Sequence, residues 1–410
     1  MYIKRIQVKN FKSFTDLDLQ LNDLNIFIGA NASGKSNFVS IAKFLRNIAR
    51  HGLENAISME GGVEYLRNTT LGASQNLEVS IAYVLPVSDV IDILNDQKII
   101  TEVEYRFSIS FYKRRDEFRI VEDILTLYYQ SPGQENGQPI EIGTVSLKVN
   151  RNRHIKVKIQ STEKLPSHLP LALHLNGTPI MPHTLLLETP FFQMVNNLDT
   201  PFSSLGIYDL DPKLSKQATS ITGFKELEED GSNLSIVLKN IARNSEQKRK
   251  LLNLLQDLLP FISDFNTQQS ADKSVLFRVR EAYSSSKTYL PASLISDGTA
   301  SIVALLVALY FEQKTPIILE EPERNIYPHL ISNLVNMFED ASANKQLIIT
   351  THNPEVVRYA SLDDLFMVAR DSDGFSTIQK PAEIEAVKIF LQNEIGIEEL
   401  YVQNLLGLPQ

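Results

Sequence analysis

The chain has 410 residues, 43% hydrophobic and 22% charged, with a formal net charge of −9. That leaves room for one large core or two lobes of an ordinary globular protein, and it argues against a surface that binds nucleic acid all over. Zero cysteines exclude disulfides, thiolate metal sites and a cysteine nucleophile, and the seven histidines show no metal-ligand spacing. No run approaches the roughly 18 apolar residues of a spanning helix, and Met1-Tyr2-Ile3-Lys4-Arg5 does not read as a signal peptide. A cytoplasmic protein with no membrane partner is the expectation.

Residues 1–50 predict strand, strand, loop and helix. The apolar run Leu24-Asn25-Ile26-Phe27-Ile28 leads into Gly29-Ala30-Asn31-Ala32-Ser33-Gly34-Lys35-Ser36, and Phe38, Ile41, Ala42, Leu45 and Ile48 follow at helical spacing. The octapeptide fits the phosphate-loop pattern G-x-x-x-x-G-K-[ST] at every position. Glycines let successive N–H groups turn toward phosphate oxygens, the lysine reaches the terminal phosphates, and the serine hydroxyl takes a place on Mg²⁺.

Residues 77–160 are strand-rich. Apolar and polar residues alternate over 77–85, 101–112, 118–129 and 143–159, with turns at Pro132-Gly133 and Asn136-Gly137. A proline-rich passage, 166–190, breaks the pattern. Asp230-Gly231-Ser232-Asn233 then opens a helical block ending at Pro260, with Leu234, Val237, Leu238 and Ile241, then Leu251, Leu254, Leu255 and Leu258, at helical spacing. From Ser296 onward the elements alternate again: helix 299–312, strand 316–320, helix 328–341, strand 345–350 and helix 354–360.

Pro316-Ile317-Ile318-Leu319-Glu320-Glu321-Pro322-Glu323 is an apolar strand ending in adjacent carboxylates. Where the strand ends and the chain turns, both acids can face phosphates: Glu320 in the Mg²⁺ shell, Glu321 to orient and deprotonate a water. Lys35 and this pair are far apart in sequence yet must share one site. The chain therefore begins a nucleotide-binding core, makes a long excursion and returns. Within the excursion there is no internal repeat and no long heptad tract. Two weaker signals join these. Ser296-Asp297-Gly298-Thr299 precedes an apolar helix and offers N–H groups to an anion, although a capped helix reads the same. His352, within Thr350-Thr351-His352-Asn353-Pro354, follows a buried strand, where a structural histidine would look the same.

The order phosphate loop, signature, acids, histidine resembles the ABC-class ATPases. It is most similar to the RecF/SMC/OLD (overcoming lysogenization defect) branch, in its compact stand-alone form described as AAA-type. The resemblance covers nearly the whole chain. It runs through Ile6-Gln7-Val8-Lys9-Asn10-Phe11-Lys12-Ser13-Phe14, the loop to Asn37, Glu229-Asp230-Gly231-Ser232-Asn233-Leu234, Ser296 to Thr299, Glu320 to Glu323, and Thr350 to Pro354. It implies an α/β, ABC-type P-loop NTPase with a strand-rich N-terminal subdomain and an inserted mainly helical lobe. Residues 1–160 and 291–410 would be the two halves of the core, and 161–290 the lobe.

ATP and Mg²⁺ are the implied cofactors. Gly29, Ala30, Asn31, Ala32, Ser33, Gly34, Lys35, Ser36 and Asn37 would cradle the nucleotide, with Lys35 on the β/γ-phosphates. Ser36 and Glu320 would hold the metal, Glu321 would be the catalytic base, and His352 the γ-phosphate sensor. Ser296 and Gly298 would complete the site of the opposite subunit in a head-to-head dimer around two ATP molecules, with Asn325 near the seam.

Three departures stand out. The signature begins Ser-Asp-Gly-Thr rather than the transporter Ser-Gly-Gly-Gln, as is normal in this branch. Tyr327-Pro328-His329 replaces the usual His-Pro. No glutamine stands out as the Q-loop residue, Gln193 and Gln160 being candidates only. A zinc-hook repair ATPase is excluded by the missing cysteines and coiled coil, and the strand-rich 77–160 block and signature type point away from a transporter subunit. Asp371-Ser372-Asp373-Gly374 spells D-x-D but reads as a hairpin turn between strands 365–369 and 375–378, so no nuclease domain is expected.

Lys113-Arg114-Arg115 and a strand carrying Arg151, Arg153, His154, Lys156 and Lys158 read either as a solvated hairpin or as a groove for DNA or an acidic partner. On that strand, alternation places Arg151, Arg153 and Ile155 on one face. Three functions follow: an ATP-dependent sensor and scaffold for a separately encoded effector, often a nuclease, in anti-phage defence; a RecF-like DNA-binding repair ATPase; or a nucleotide-gated interaction protein with little turnover. All three require the loop lysine. Lys35→Ala is expected to abolish ATP binding, and a titration showing wild-type affinity in that variant would remove the common premise.

Overall fold

A computed structural model describes residues 1–85, 99–113, 117–130, 134–135, 138–139, 142–161, 175–190, 202–221, 225–283, 288–384 and 387. Two sheets organise them. The first runs in the order Gly206–Tyr208, Ile317–Glu320, Leu347–Thr351, Leu24–Ile28, Leu365–Arg370, Ser376–Gln379. Its neighbours pair in parallel until the last two strands, which form an antiparallel hairpin. The near-continuous apolar runs suit this position, because a parallel sheet is covered on both faces. Successive side chains go to opposite cores. Ile26, Ile28, Leu319, Ile349 and Met367 enter one, and Phe27, Ile318, Ile348, Phe366 and Val368 the other.

The second sheet is antiparallel, in the order Ile155–Ser161, Ile142–Val149, Phe118–Gln130, Ile99–Phe111, Leu77–Val84, Tyr2–Phe11, Phe14–Gln20. The helix Lys35–His51 lies between the sheets. Phe38 stacks on Phe27 of the parallel sheet at 4.2 Å between ring centroids, and Phe44 meets Phe11 of the antiparallel sheet at 6.0 Å. On the far side of the parallel sheet packs Asp297–Tyr310, buried continuously from Thr299 to Leu309, together with Ile331–Ser342. An apolar helix with no polar face needs such a location. Among the described residues, no helix is long and apolar enough to cross a membrane.

Within 161–290, Gly206–Tyr208 joins the edge of the parallel sheet. Helices Leu234–Arg243 and Ser245–Leu258 follow, divided at Asn244, whose side chain caps the second by accepting from the N–H groups of Glu246 and Gln247. The hairpin Ile262–Gln269 with Ser274–Glu281 packs beside them, an element that the apolar periodicity did not single out.

One expected strand divides. The stretch 143–159 forms two strands, joined by a turn in which the Asn150 side chain accepts from the N–H groups of Asn152 and His154. Arg153 sits there with φ +60°, donating to the carbonyls of Met181 and Thr184. The face expected to carry Arg151, Arg153 and Ile155 therefore does not form, because alternation holds only while the backbone stays extended. Arg114 and Arg115, like Gln193, lie outside the described residues. The Asp371–Gly374 stretch is the hairpin turn expected. Gly374 has φ +83°, and Asp371 Oδ1 accepts from the N–H groups of Asp373 and Phe375.

Inside the antiparallel sheet's core lies a fully buried acid, Asp123. Tyr105 Oη donates to its Oδ1 at 3.0 Å and the Leu186 N–H to its Oδ2 at 2.9 Å. Burial pushes its carboxyl up to about 7, against the opposing pull of those donors and of Arg153. The unfolded chain releases this proton near pH 4. Between there and pH 7 the unfolded state binds fewer protons, so stability falls as pH rises across that window. Each unit of pKa difference is worth about 1.4 kcal/mol. Asp123→Asn should flatten this decline, as read by urea denaturation at several pH values; parallel wild-type and variant curves would remove Asp123 as its source.

Candidate nucleotide site

Three adjacent parallel strands end on one edge and deliver the three strongest motifs to it. Thr351 is in register with Ile28, and Glu320 with Thr350. The Gly29 N–H donates to the Thr351 carbonyl at 3.4 Å, and the Glu321 N–H to the Thr350 carbonyl at 2.8 Å. Gly29, Glu321 and His352 thus emerge side by side at the carboxyl ends of parallel strands, where open α/β sheets bind ligands.

The loop is held by backbone close approach. A side chain at Gly29 would come within 2.2 Å of the Val368 carbonyl oxygen. At Gly34, where φ is +120°, it would come within 2.1 Å of Ser376 Oγ. The helix that follows has no side-chain cap and no acid in its first turn. Its N-terminal N–H groups and positive dipole end are left for an anion. Lys35 is buried and donates to the carbonyls of Gly29 (2.7 Å) and Ala30 (3.0 Å). Burial pushes its ammonium below the ordinary lysine value, while the charges of Glu321 and Glu323 oppose this. A desolvated cation, an uncapped helix terminus and facing carboxylates are a donor set that fits a metal-bound triphosphate.

Ser36, Asn31 and Ala32 are exposed at the loop surface, and Ser33 is buried. Asn37 turns away, donating from Nδ2 to Ser13 Oγ at 2.7 Å. Ser13 is the tip of the two-residue turn joining Tyr2–Phe11 to Phe14–Gln20. Ser376 Oγ bonds Ser13 Oγ at 2.7 Å and donates to the Ser33 carbonyl at 2.6 Å. Arg370 Nε donates to the Ala32 carbonyl at 3.0 Å. Ser376 and Arg370 brace the loop from the C-terminal hairpin, and nothing local in the sequence marked either.

The acids have separate partners. Glu320 Oε1 pairs with Lys43 Nζ at 2.7 Å, two turns along the loop helix from Lys35. Glu321 adopts φ +44°, an uncommon conformation for a residue with a Cβ, costing of order 1–3 kcal/mol. Its Oε1 lies 2.8 Å from His352 Nδ1, and its Oε2 accepts from Arg324 at 3.1 Å. Burial alone would raise the Glu321 carboxyl; these two donors outweigh it and hold the group below the usual glutamate value. Glu323 is buried. One of its oxygens accepts from Thr351 Oγ1 and the other has no hydrogen-bond partner among the described residues, and burial pushes this carboxyl up. Thr351 Oγ1 in turn accepts from the Asn353 N–H, and Asn353 caps the short helix Pro354–Tyr359, leaving His352 outward between them.

Ser296 is the N-cap of Asp297–Tyr310, its Oγ accepting from the Thr299 N–H at 3.1 Å, and Asp297 is tied to Lys216. Gly298 lies against the loop after the acids: a side chain there would meet the Asn325 carbonyl at 2.6 Å. Among the described residues, neither Ser296 nor Gly298 hydrogen-bonds to the Lys35 loop. Gln160 stands on the outermost strand of the antiparallel sheet, opposite Thr144.

Comparison with known proteins accounts for both halves of the chain. Residues 1–169 match the family described as "AAA ATPase domain", and residues 194–358 the family described as "AAA domain, putative AbiEii toxin, Type IV TA system". The DNA replication and repair protein RecF of Corynebacterium jeikeium (strain K411) is 30% identical over 77 residues, 18% of this chain and 18% of that one. RecF of Lactococcus lactis subsp. cremoris (strain MG1363) is 42% identical over 52 residues, 12% of this chain and 14% of that one. The matched stretches thus span less than a fifth of these relatives. A crystal structure of an SMC head bound to the C-winged helix domain of ScpA superimposes over 95% of this chain and 100% of that one, with a TM-score of 0.53 at 14% identity.

The chain is similar to RecF/SMC-like ATPases of the ABC class. Its sheets and helices are those of an ABC-type P-loop NTPase. In this chain the phosphate loop depends on the hairpin that braces it. Gly34→Ala would add both an unfavourable φ and a collision with Ser376, costing about 1–3 kcal/mol. A melting temperature several degrees lower, with weakened ATP binding, is the expected result; an unchanged melt would show that the loop and hairpin are not packed in this way.

Proposed function

We propose that the chain binds ATP with Mg²⁺ in the Lys35 loop and hydrolyses it, with Glu321 as general base. The convergence of Lys35, Glu321 and His352 on one sheet edge carries this reading. Lys35 would lie on the β/γ-phosphates with the loop N–H groups of residues 29–37 around them. Mg²⁺, when bound by Ser36 and Glu320, supplies charge neutralisation on the phosphates. Glu321 would accept the proton of the attacking water, and His352, whose Nδ1 lies 2.8 Å from one oxygen of that carboxylate, would sense the γ-phosphate. Glu320 would have to share its carboxylate between the metal shell and Lys43.

Hydrolysis in this reading requires two copies. Ser296 and Gly298 make no hydrogen bond to their own Lys35 loop among the described residues, which supports their use on the nucleotide of a second, head-to-head subunit. The assembled pair would act in the cytoplasm as sensor and scaffold for a separately encoded effector, a nuclease, in bacterial anti-phage defence. The toxin–antitoxin wording of the family matching 194–358 supports a role of this kind. The RecF relatives favour a second reading, a DNA-binding repair ATPase. ATP-dependent, salt-sensitive DNA binding would select it. Co-purification with a neighbouring gene product that is toxic alone would select the first.

Glu321→Gln should bind ATP without turning it over, and its solution mass should double on adding Mg-ATP. A mass that ignores nucleotide would overturn the two-site sandwich, and unchanged turnover would remove Glu321 as the base.

A further inference from the structure

Arg324 occupies a junction. Its guanidinium donates to Glu321 Oε2 at 3.1 Å through Nη2, and its Nη1 lies 3.3 Å from Asp209 Oδ1. Asp209 follows the edge strand Gly206–Tyr208, and its N–H donates to the Glu229 carbonyl at 2.9 Å. The Glu229 side chain is in turn bound by Arg46 of the loop helix. On the other side, the next residue is Asn325, held at φ +65° with its carbonyl against Gly298 of the signature turn. Arg324 therefore joins three things in one chain: the base, the excursion and the turn offered to a second subunit.

We propose that Arg324 is a positioning residue for ATP hydrolysis, anchored by Asp209, that holds the Glu321 carboxylate and links its orientation to the signature turn through Asn325. The inference rests on Glu321 being the base. Both oxygens of that carboxylate are engaged, one by His352 and one by Arg324, so an attacking water competes with a donor that is itself half exposed. A second subunit pressing on Gly298 would act first on Asn325, the residue that shares a peptide bond with Arg324. The charged groups around Glu321 are His352 from the turn after Leu347–Thr351, Arg324 and Glu323 from its own loop, and Lys35 from the loop helix. Of these, Arg324 is the cation whose removal leaves the phosphate loop and the histidine in place.

The test is kcat, KM and ATP affinity for wild type, Arg324→Ala, Arg324→Lys, Asp209→Asn and Glu321→Gln. Arg324→Ala should keep its affinity within about twofold and lose about tenfold in kcat, because the carboxylate is no longer held in place. Arg324→Lys should restore most of kcat, and Asp209→Asn should lower kcat by less than Arg324→Ala does. Should Arg324→Ala fail to fold, Arg324→Gln keeps the packing and a donor without the charge, and reads the same split between kcat and affinity. A wild-type kcat in Arg324→Ala, with Glu321→Gln inactive, overturns the role of Arg324 and leaves the base standing. Wild-type turnover in Glu321→Gln overturns both.

Discussion

Everything at the site depends on the strand Leu347–Thr351 lying between Ile317–Glu320 and Leu24–Ile28. These segments come from the two ends of the chain, and only their parallel pairing brings Lys35 to the acids and His352 between them. The pairing is pinned at its far end by Gln346. This buried amide exchanges two hydrogen bonds with the Ile3 backbone, at 2.8 and 2.7 Å, and a third with the Asn22 carbonyl at 3.0 Å. Asn25 adds a bond to the Leu347 carbonyl. A buried polar group that is fully bonded specifies register, because any slip leaves it unsatisfied at a cost of about 1–3 kcal/mol. The register of the sheet's start therefore secures the geometry at the edge that carries the loop, the acids and the histidine.

Charge at the site is distributed so that each acid has its own counterpart. Glu320 faces Lys43, Glu321 faces His352 and Arg324, and Glu323 is sunk beneath with Thr351. The pairs of Glu321, whose partners are half exposed, contribute little to stability, about 0–1 kcal/mol each. Their value lies in orientation. Glu321 is turned out of the strand at positive φ, and two donors fix where its oxygens point. Glu323 is different in kind, because burial pushes its carboxyl up and leaves one oxygen without a hydrogen-bond partner among the described residues. It stands below the reacting groups as a packed support of the turn.

The phosphate loop shows the same division between chemistry and support. Its own residues make the nest, while the hairpin of Leu365–Arg370 and Ser376–Gln379 and the turn at Ser13 hold that nest in shape. Both sheets thus touch the loop, one through Ser13 and the other through Arg370 and Ser376. A movement of either sheet would be felt by the nucleotide. The Gly298–Asn325 contact provides the corresponding link from the signature turn to the acids.

The loop, the acids and the histidine were legible because each is a contiguous motif whose chemistry lies in neighbouring residues. The antiparallel strands at 77–85, 101–112 and 118–129 were legible because a half-buried strand writes its period of two into the sequence. The same rule failed across 143–159, where alternation continued through a turn that Asn150 and the positive φ of Arg153 create. Arg153 looked like part of a basic face and is a tie to the carbonyls of Met181 and Thr184. Asn37, adjacent to the motif, proved to face Ser13. By itself, then, the sequence marked the candidate phosphate residues, because backbone N–H groups, a lysine and carboxylates carry that chemistry wherever they are placed. Only the tertiary structure decided that Ser376 and Arg370 brace the loop, that Gln346 sets the register and that Arg324 pairs with Glu321. Those roles are contacts between segments far apart in the chain, and no local pattern encodes a distance across a fold.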